Sequence, residues 1–216
     1  MNRVIKYLVN EGLPITFIAF YCVGLVLYFT PFTHNIFVLL TPYTLVLVAV
    51  AIFSHHKEWT KRTIVVLASI FILSIVIEII GVTTGKLFGV YEYGKGLGFK
   101  IADVPVVIGL NWVFLVYASN GIISKYTSKM FLIALGAAAL MLLYDILLEK
   151  AAPLMDMWQF SKNEPPINNY VTWFLLALLF NMALQHFKIN TRNSPARWLF
   201  FIQLSFFTII VLHHTF

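Results

Sequence analysis

The chain has 216 residues, of which 60% are hydrophobic and 11% are charged, and its mean hydropathy is +0.86. Soluble domains contain about 25% charged residues, and a soluble globule this apolar would expose large hydrophobic patches, so the composition excludes soluble and intrinsically disordered proteins and predicts a polytopic membrane protein. The formal net charge of +6 comes from basic residues in short loops between apolar segments, a pattern that indicates membrane orientation and excludes nucleic acid as a partner.

Seven apolar segments are long enough to cross a bilayer, which takes about 20 residues. Because backbone groups in hydrocarbon must be hydrogen-bonded within the segment, each is predicted to be an α-helix. In chain order the segments are Leu13–Thr30, Ile36–Phe53, Thr63–Gly81, Val104–Asn120, Met130–Leu147, Tyr170–Phe187 and Ala196–His214. We therefore expect an all-α bundle of about seven transmembrane helices, with residues 1–216 forming one integral membrane domain.

The first segment follows a basic start, Arg3 and Lys6, and no small-residue cleavage site follows it. We interpret it as a first helix and not as a signal peptide. With the N-terminus inside, ten of the 15 basic residues lie in inner segments, namely Arg3, Lys6, Lys57, Lys61, Arg62, Lys125, Lys129, Lys188, Arg192 and Arg197. The excess predicts an N-in, C-out orientation.

The two longest connections, Val82–Asp103 and Leu148–Asn169, both lie on the predicted outer side. The first holds five glycines and the second holds three prolines. Function often concentrates on long loops held by a rigid scaffold. We therefore expect the functional site at the outer face, with the glycine-rich connection acting as a re-entrant or capping loop.

Two acids, Glu78 and Asp145, lie inside predicted spans, and Glu149 follows Asp145 by one helical turn. An ionisable group in hydrocarbon costs roughly 2.5–3.5 kcal/mol on insertion scales, so such residues normally face the interior of a bundle. Glu78 and Asp145 are predicted at one depth, near the outer ends of their helices. Two carboxyl groups one turn apart cannot both ionise easily in a poorly solvated site, so one is expected to stay protonated and able to donate a proton. The alternative is a set of hydrogen-bonded acids without chemistry.

Aromatic residues cluster at the same predicted depth. They are Tyr91, Tyr93, Trp112, Tyr144, Trp158, Phe160 and Trp173. One interpretation is the aromatic belt of a membrane interface. The other is a pocket for a long apolar ligand, in which ring faces stabilise a cation.

Cofactor motifs are missing from the sequence. The six histidines form no HxxxH or HxxHH series, so no metal site is expected. Gly81–Lys86 is one residue short of a P-loop, and Gly94, Gly96 and Gly98 lack the dinucleotide-binding spacing. We expect no metal, flavin or nicotinamide cofactor.

Two blocks of sequence resemble the CruF-type carotenoid 1,2-hydratases, which include the bisanhydrobacterioruberin hydratases. The first is Glu78-x-x-Gly81-x-x-x-Gly85-x-x-Phe88-Gly89-x-Tyr91-x-Tyr93, followed by Leu97-Gly98, Val104-Pro105 and Trp112. The second is Asp145-x-x-x-Glu149, Trp158-x-Phe160 and Pro166-x-x-Asn169-Tyr170-x-x-Trp173-Phe174. The resemblance covers roughly residues 63–187. Glu149 stands where the family usually has a second Asp, and Lys150 replaces the Pro that usually follows.

The resemblance implies a cofactor-independent hydro-lyase of the cytoplasmic membrane that adds water to the terminal C1–C2 double bond of an acyclic carotenoid end. Our hypothesis for the catalytic residues is that an acid of the Asp145/Glu149 pair donates the proton and that Glu78 orients and deprotonates the attacking water. Substrate contacts are expected from Tyr91, Tyr93, Trp112, Trp158, Asn169 and Trp173. The expected partners are a carotenoid in the bilayer, membrane lipids and other enzymes of carotenoid synthesis.

Two other classes stay open. A membrane prenyltransferase would use Asp145-x-x-x-Glu149 as a metal motif, but it would need a second such motif, which the sequence lacks. A proton-coupled transporter or an isoprenoid-binding scaffold is compatible with buried acids, although no inverted repeat is visible.

Overall fold

The computed structural model describes residues 13–215, which form seven α-helices and four short β-strands. In chain order these are α1 (Leu13–Phe29), α2 (His34–Ser54), α3 (Lys61–Thr84), β1 (Tyr91–Tyr93), β2 (Lys100–Ile101), β3 (Val104–Pro105), α4 (Val107–Ile123), α5 (Met130–Ala151), β4 (Trp158–Phe160), α6 (Ile167–His186) and α7 (Ser194–Thr215). A single 3₁₀ turn, Pro153–Met155, precedes β4. Each predicted apolar segment corresponds to one helix, so the prediction of an all-α bundle is confirmed. Arg3 and Lys6 lie outside the described residues.

The outer surface of the bundle is apolar. Large hydrophobic side chains such as Leu39, Val50 and Val65 are exposed on the helices, as expected for surfaces in contact with lipid. Five helices, α2, α3, α5, α6 and α7, have the length and hydropathy to cross a membrane. The other two, α1 and α4, have 17 residues each. The chain is therefore a membrane protein built from apolar helices.

Helix α4 is the centre of the bundle and packs against α2, α3, α5, α6 and α7. Its residues from Ile108 to Ile122 are almost all buried, including Asn111 and Asn120. Val104 was expected to begin this helix, but Val104–Pro105 pair with Lys100–Ile101 as a small hairpin, so the helix begins three residues later. Proline at the second of these positions removes a backbone donor, which is compatible with a strand of two residues at an edge.

The two long connections meet at one end of the bundle, as their common placement in the sequence analysis predicted. Strand β1 from the first pairs antiparallel with β4 from the second, and Tyr91 lies opposite Phe160 while Tyr93 lies opposite Trp158. These four aromatic side chains are buried, whereas Glu92 and Gln159 between them are exposed. The alternation follows from the two-residue repeat of a strand, and it directs the rings of both loops inward.

Close backbone contacts fasten the two loops together. The N–H of Gly94 donates to the carbonyl oxygen of Met157 at 2.9 Å, and the N–H of Gly96 donates to that of Asp156 at 2.7 Å. A Cβ atom at Gly94 would lie 2.2 Å from Oδ1 of Asp156. Only glycine allows this approach, and the loops therefore form one continuous cap over the helix ends.

Helix α3 carries the first buried acid to the cap. It begins with Thr60, whose Oγ1 accepts the N–H of Thr63 at 3.1 Å, a standard N-terminal cap. It ends at Gly85 in the left-handed conformation, with φ of 63°, as is common for glycine at the end of a helix. A Cβ atom at Gly81 would lie 2.5 Å from the ring of Phe88, so glycine here lets the chain fold back against its own helix.

Candidate functional site

Glu78 lies on α3, three residues before Gly81, and its side chain is 3% exposed. Three donors surround its carboxyl group. Oε2 accepts the hydroxyl groups of Tyr91 at 2.6 Å and Tyr93 at 2.9 Å, and Oε1 accepts the indole N–H of Trp112 at 3.1 Å. Hydrogen bonds of this kind favour the charged form of a carboxyl group, and Glu78 has more such donors than Glu149 or Asp145.

Tyr91 and Tyr93 reach Glu78 from the cap. Burial, and then the charge of Glu78, raises the pKa of both phenol groups above the usual value. Both hydroxyl groups therefore stay protonated near neutral pH and serve as donors. Strand β1 explains their common direction, because residues two apart point to the same face.

Glu149 lies near the end of α5 and is also buried. Its Oε2 accepts the indole N–H of Trp158 from β4 at 2.9 Å, and its Oε1 accepts the amide of Asn169 from α6 at 2.8 Å. Strand β4 and helix α6 thus fix the orientation of this carboxyl group.

Asp145 lies one turn earlier on α5 and is completely buried. Its Oδ2 has one long contact, 3.4 Å to the amide nitrogen of Asn169. Its Oδ1 has no hydrogen-bond partner among the described residues. Asn169 therefore bridges the two carboxyl groups of α5, but its contact with Asp145, at 3.4 Å, is longer than its hydrogen bond to Glu149, at 2.8 Å.

A small cavity lies between Glu78 and Glu149. The other residues on its wall are Phe88, Tyr91, Tyr93, Ile108, Trp158, Phe160, Asn169 and Trp173. Its volume is about 10 Å³, which is room for about one water molecule. Asp145 does not border this cavity, which separates its position from that of the other two acids.

The aromatic residues of the site face the interior and do not form a belt at the membrane surface. Tyr91, Tyr93, Trp112, Trp158 and Trp173 are each at most 8% exposed. Trp112 and Trp173 are stacked, with ring centroids 4.0 Å apart and planes at 20°. Trp112 therefore supports Trp173 from behind, whereas Trp173 itself reaches the cavity.

The sequence analysis named three acids, five aromatic residues and Asn169, and the structure brings all nine together. Tyr144 is the exception among the aromatic residues considered, since its hydroxyl group donates to Gln203 on α7 at 3.0 Å. Phe88, Ile108 and Phe160 line the cavity without having been named as site residues. Phe160 was part of the predicted aromatic cluster, whereas Phe88 was visible only as a member of the family motifs, because an apolar residue in an apolar chain gives no signal of its own.

Of the residues that the structure describes, no Lys, Arg or His side chain lines the cavity. Three carboxyl groups lie near one another without a cation on its wall, and a medium of low polarity disfavours several like charges. A proton shared within this group is the arrangement that electrostatics favours. Within residues 13–215, no group of three or more His, Cys, Asp or Glu side chains is placed to hold a metal ion.

A second, apolar cavity of about 180 Å³ lies between α1, α2 and α7. Gly24, Phe206 and Gln203 are on its wall, as is Met157, the residue before Trp158. Exposed apolar residues of α1 and α2, among them Val23 and Leu40, lie at its edge. This cavity is thus bordered by lipid-facing helices on one side and by the cap of the acid site on another.

A family model described as "Carotenoid biosynthesis protein" matches residues 35–216, which is most of the chain. No curated protein and no solved structure matches the chain.

Proposed function

The chain belongs to the family of carotenoid biosynthesis proteins, and we propose that it is a carotenoid 1,2-hydratase. In this reaction, water adds to the terminal C1–C2 double bond of an acyclic carotenoid end and gives a tertiary alcohol at C1. The observation that carries the proposal is the one-water cavity, whose wall holds two carboxyl groups and several aromatic rings. The resemblance of both sequence blocks to hydratases of the CruF type supports the same reaction.

The first step is protonation of C2 by a carboxylic acid of the Asp145/Glu149 pair. We assign direct transfer to Glu149 because it borders the cavity. Asp145 acts from behind as a positioning residue that keeps a proton in the pair. A buried Asp145 anion would leave Oδ1 uncompensated, and an unpaired buried charge costs more than an unpaired neutral group. The π electrons form the new C2–H bond and leave a tertiary cation at C1.

The second step depends on the aromatic wall. Ring faces attract cations, and Trp158 and Trp173 both reach the cavity. A preorganised wall of this kind stabilises the charge where it develops, without reorganisation of solvent. Trp112 contributes indirectly through its stack on Trp173.

The third step is attack by water on C1. Glu78 borders the cavity, and its Oε1 has one donor among the described residues, so one acceptor site is left to orient the water and remove its proton. The new C1–O bond takes both electrons from the water oxygen. Proton transfer from Glu78 back to the Glu149 pair completes the cycle, and no atom or electron is left over.

The apolar cavity offers a place for the substrate chain. A carotenoid dissolved in the bilayer must approach the acid site from the lipid, and this cavity has lipid-facing edges and a wall that continues into Trp158 through Met157. We propose that part of the polyene lies there while the reacting end displaces side chains at the acid cavity, which is too small for it in this structure.

Pigment analysis tests the proposed reaction. The chain is expressed in a carotenoid-free bacterium that has been engineered to make lycopene and γ-carotene, and extracts are analysed by mass spectrometry. We expect a pigment heavier by one water, whose hydroxyl oxygen comes from isotopically labelled water and not from labelled dioxygen. Unchanged pigments, with the protein inserted in the membrane, would contradict hydration of these substrates. Glu149→Gln is the inactive comparison, and Glu92→Gln, an exposed glutamate of β1, is the matched control.

A further inference from the structure

A cavity of about 550 Å³ lies at the opposite end of the bundle from the acid site. Its wall combines the α2–α3 connection, the end of α4 and the start of α7. Four cationic side chains from these three segments border it, namely Lys57, Lys125, Arg192 and Arg197. We call this cavity the basic pocket, and it has no part in the hydration chemistry proposed above.

Among residues 13–215, no acidic side chain lies on the wall of the basic pocket. The four cations are therefore not balanced by a carboxylate on that wall. A second cavity at the same end, of about 500 Å³, also holds three cations, Lys61, Arg62 and Lys188, but it includes Glu58. The two cavities differ in this respect although both occupy the basic end of the bundle.

Part of the wall of the basic pocket is the start of α7, which Asn193 caps. Asn193 is buried, its Oδ1 accepts the N–H of Ala196 at 3.1 Å, and its amide donates to the carbonyl oxygen of Ile52 at 2.8 Å. This cap ties α7 to the end of α2. The N-terminus of α7 therefore adds its partial positive charge to a cavity that already holds four cations.

The position of the basic pocket at the ends of apolar helices is where lipid headgroups are expected. Two exposed aromatic residues, Tyr126 and Trp198, lie in the same segments as the cations of the pocket. Tyrosine and tryptophan are enriched at the boundary between hydrocarbon and water. Basic cavities between helices at this depth are suited to acidic headgroups.

We propose that the basic pocket binds a phosphate group, with the headgroup of an anionic phospholipid as the source that its depth favours. Lys125 supplies a donor from the end of α4, and Arg192 and Arg197 supply donors from the start of α7, so a bound phosphate would join these two ends. Arginine suits this role because its planar guanidinium group can donate two parallel hydrogen bonds to phosphate oxygens.

Lipid binding by the full chain tests the proposal. The purified protein in neutral detergent is titrated with phosphatidylglycerol or with phosphatidylcholine, and retained lipid is measured by native mass spectrometry. The variant Lys125→Gln/Arg192→Gln/Arg197→Gln should bind phosphatidylglycerol at least about tenfold more weakly, since each cation near a membrane surface contributes appreciably to anionic lipid affinity. Binding of phosphatidylcholine should not change.

The matched control removes three charges from the neighbouring cavity that includes Glu58, in the variant Lys61→Gln/Arg62→Gln/Lys188→Asn. Asparagine is used at Lys188 because its φ is 52°, a conformation that asparagine tolerates well. An equal loss of phosphatidylglycerol in both variants would overturn the proposal, because it would show a general charge effect. If the triple variant unfolds, Lys125→Gln/Arg192→Gln alters only exposed side chains and should still weaken binding.

Competition separates the two sources of phosphate. Inorganic pyrophosphate that displaces phosphatidylglycerol at micromolar concentration would identify a free phosphate compound as the ligand of the pocket. Persistence of the lipid under these conditions would support the headgroup. Absence of selective binding by either source would overturn the proposal.

Discussion

Asn169 of α6 donates its amide to Oε1 of Glu149 on α5 at 2.8 Å. The contact joins two helices at the depth of the cavity, and the same amide nitrogen lies 3.4 Å from Asp145. The orientation of the proposed proton donor is therefore set by a residue of another helix. Because Trp158 holds the other oxygen of Glu149, small changes around this carboxyl group should have measurable effects on activity.

Replacing Glu149 and replacing Asp145 should lower the rate of hydration to different extents. We expect Glu149→Gln to lower the rate of hydration by about a hundredfold or more, which is the usual contribution of a general acid. Asp145→Asn should lower the rate less and move the alkaline side of the pH–rate profile to lower pH, because the remaining carboxyl group no longer shares its proton. Rates are measured in membranes supplied with acyclic carotenoid. Full activity of Glu149→Gln would refute its role as donor.

Removal of one donor to Glu78 should slow the reaction without unfolding the protein. Tyr93→Phe removes a single hydroxyl group, and a hydrogen bond to a charged partner contributes about 1.5–3 kcal/mol, so a reduction of roughly tenfold to a hundredfold is expected. Tyr43→Phe, at an exposed position of α2, is the matched control and should keep wild-type activity. Equal rates for the two variants would mean that Glu78 does not depend on this donor.

The apolar cavity can be filled from α1. A leucine at Gly24 projects toward Phe206, whose ring lies 3.4 Å from the expected Cβ position, and it should reduce carotenoid turnover by about tenfold through lost space for the chain. Ala19→Leu adds the same kind of side chain to an exposed position of the same helix and should have little effect. Turnover is measured as above. If Gly24→Leu retains full activity, the polyene does not use this cavity.

The close contact between Gly94 and Asp156 should contribute to the stability of the folded protein. Gly94→Ala forces a Cβ atom into Asp156 and should cost about 1–3 kcal/mol, as overpacking usually does. The comparison is Gly24→Ala, where the added Cβ makes an ordinary contact. Thermal unfolding in detergent measures the difference. Equal transition temperatures for the two variants would show that the cap accommodates the added Cβ atom without loss of stability.

Much of the fold follows from the length of the apolar segments, because only a helix satisfies its own backbone in hydrocarbon. The strands could not be predicted in this way. β1 and β4 have three residues each and pair across a large distance in the chain, so no local repeat indicates them. The start of α4 was misplaced for the same reason, since Val104 looks like one more apolar residue of a span.

The acidic residues of the candidate site could be predicted from the sequence. Glu78 and Asp145 were conspicuous because acids in apolar segments are unfavourable without a reason. Their different surroundings were not predictable, because Tyr91 and Tyr93 reach Glu78 through a strand that the sequence does not reveal. That Glu149 borders the cavity while Asp145 does not is equally a property of helix packing.

The order of the partners along the chain has a consequence for biosynthesis. Glu78 bonds to residues 13, 15 and 34 positions later, and Glu149 to residues 9 and 20 positions later. Asn169, the partner of Asp145, lies 24 positions after it in the chain. Every acid of the site is therefore synthesised before any of its donors. An emerging α3 or α5 must enter the membrane with its carboxyl groups neutralised by protons, or stay beside the translocon until the following helix arrives.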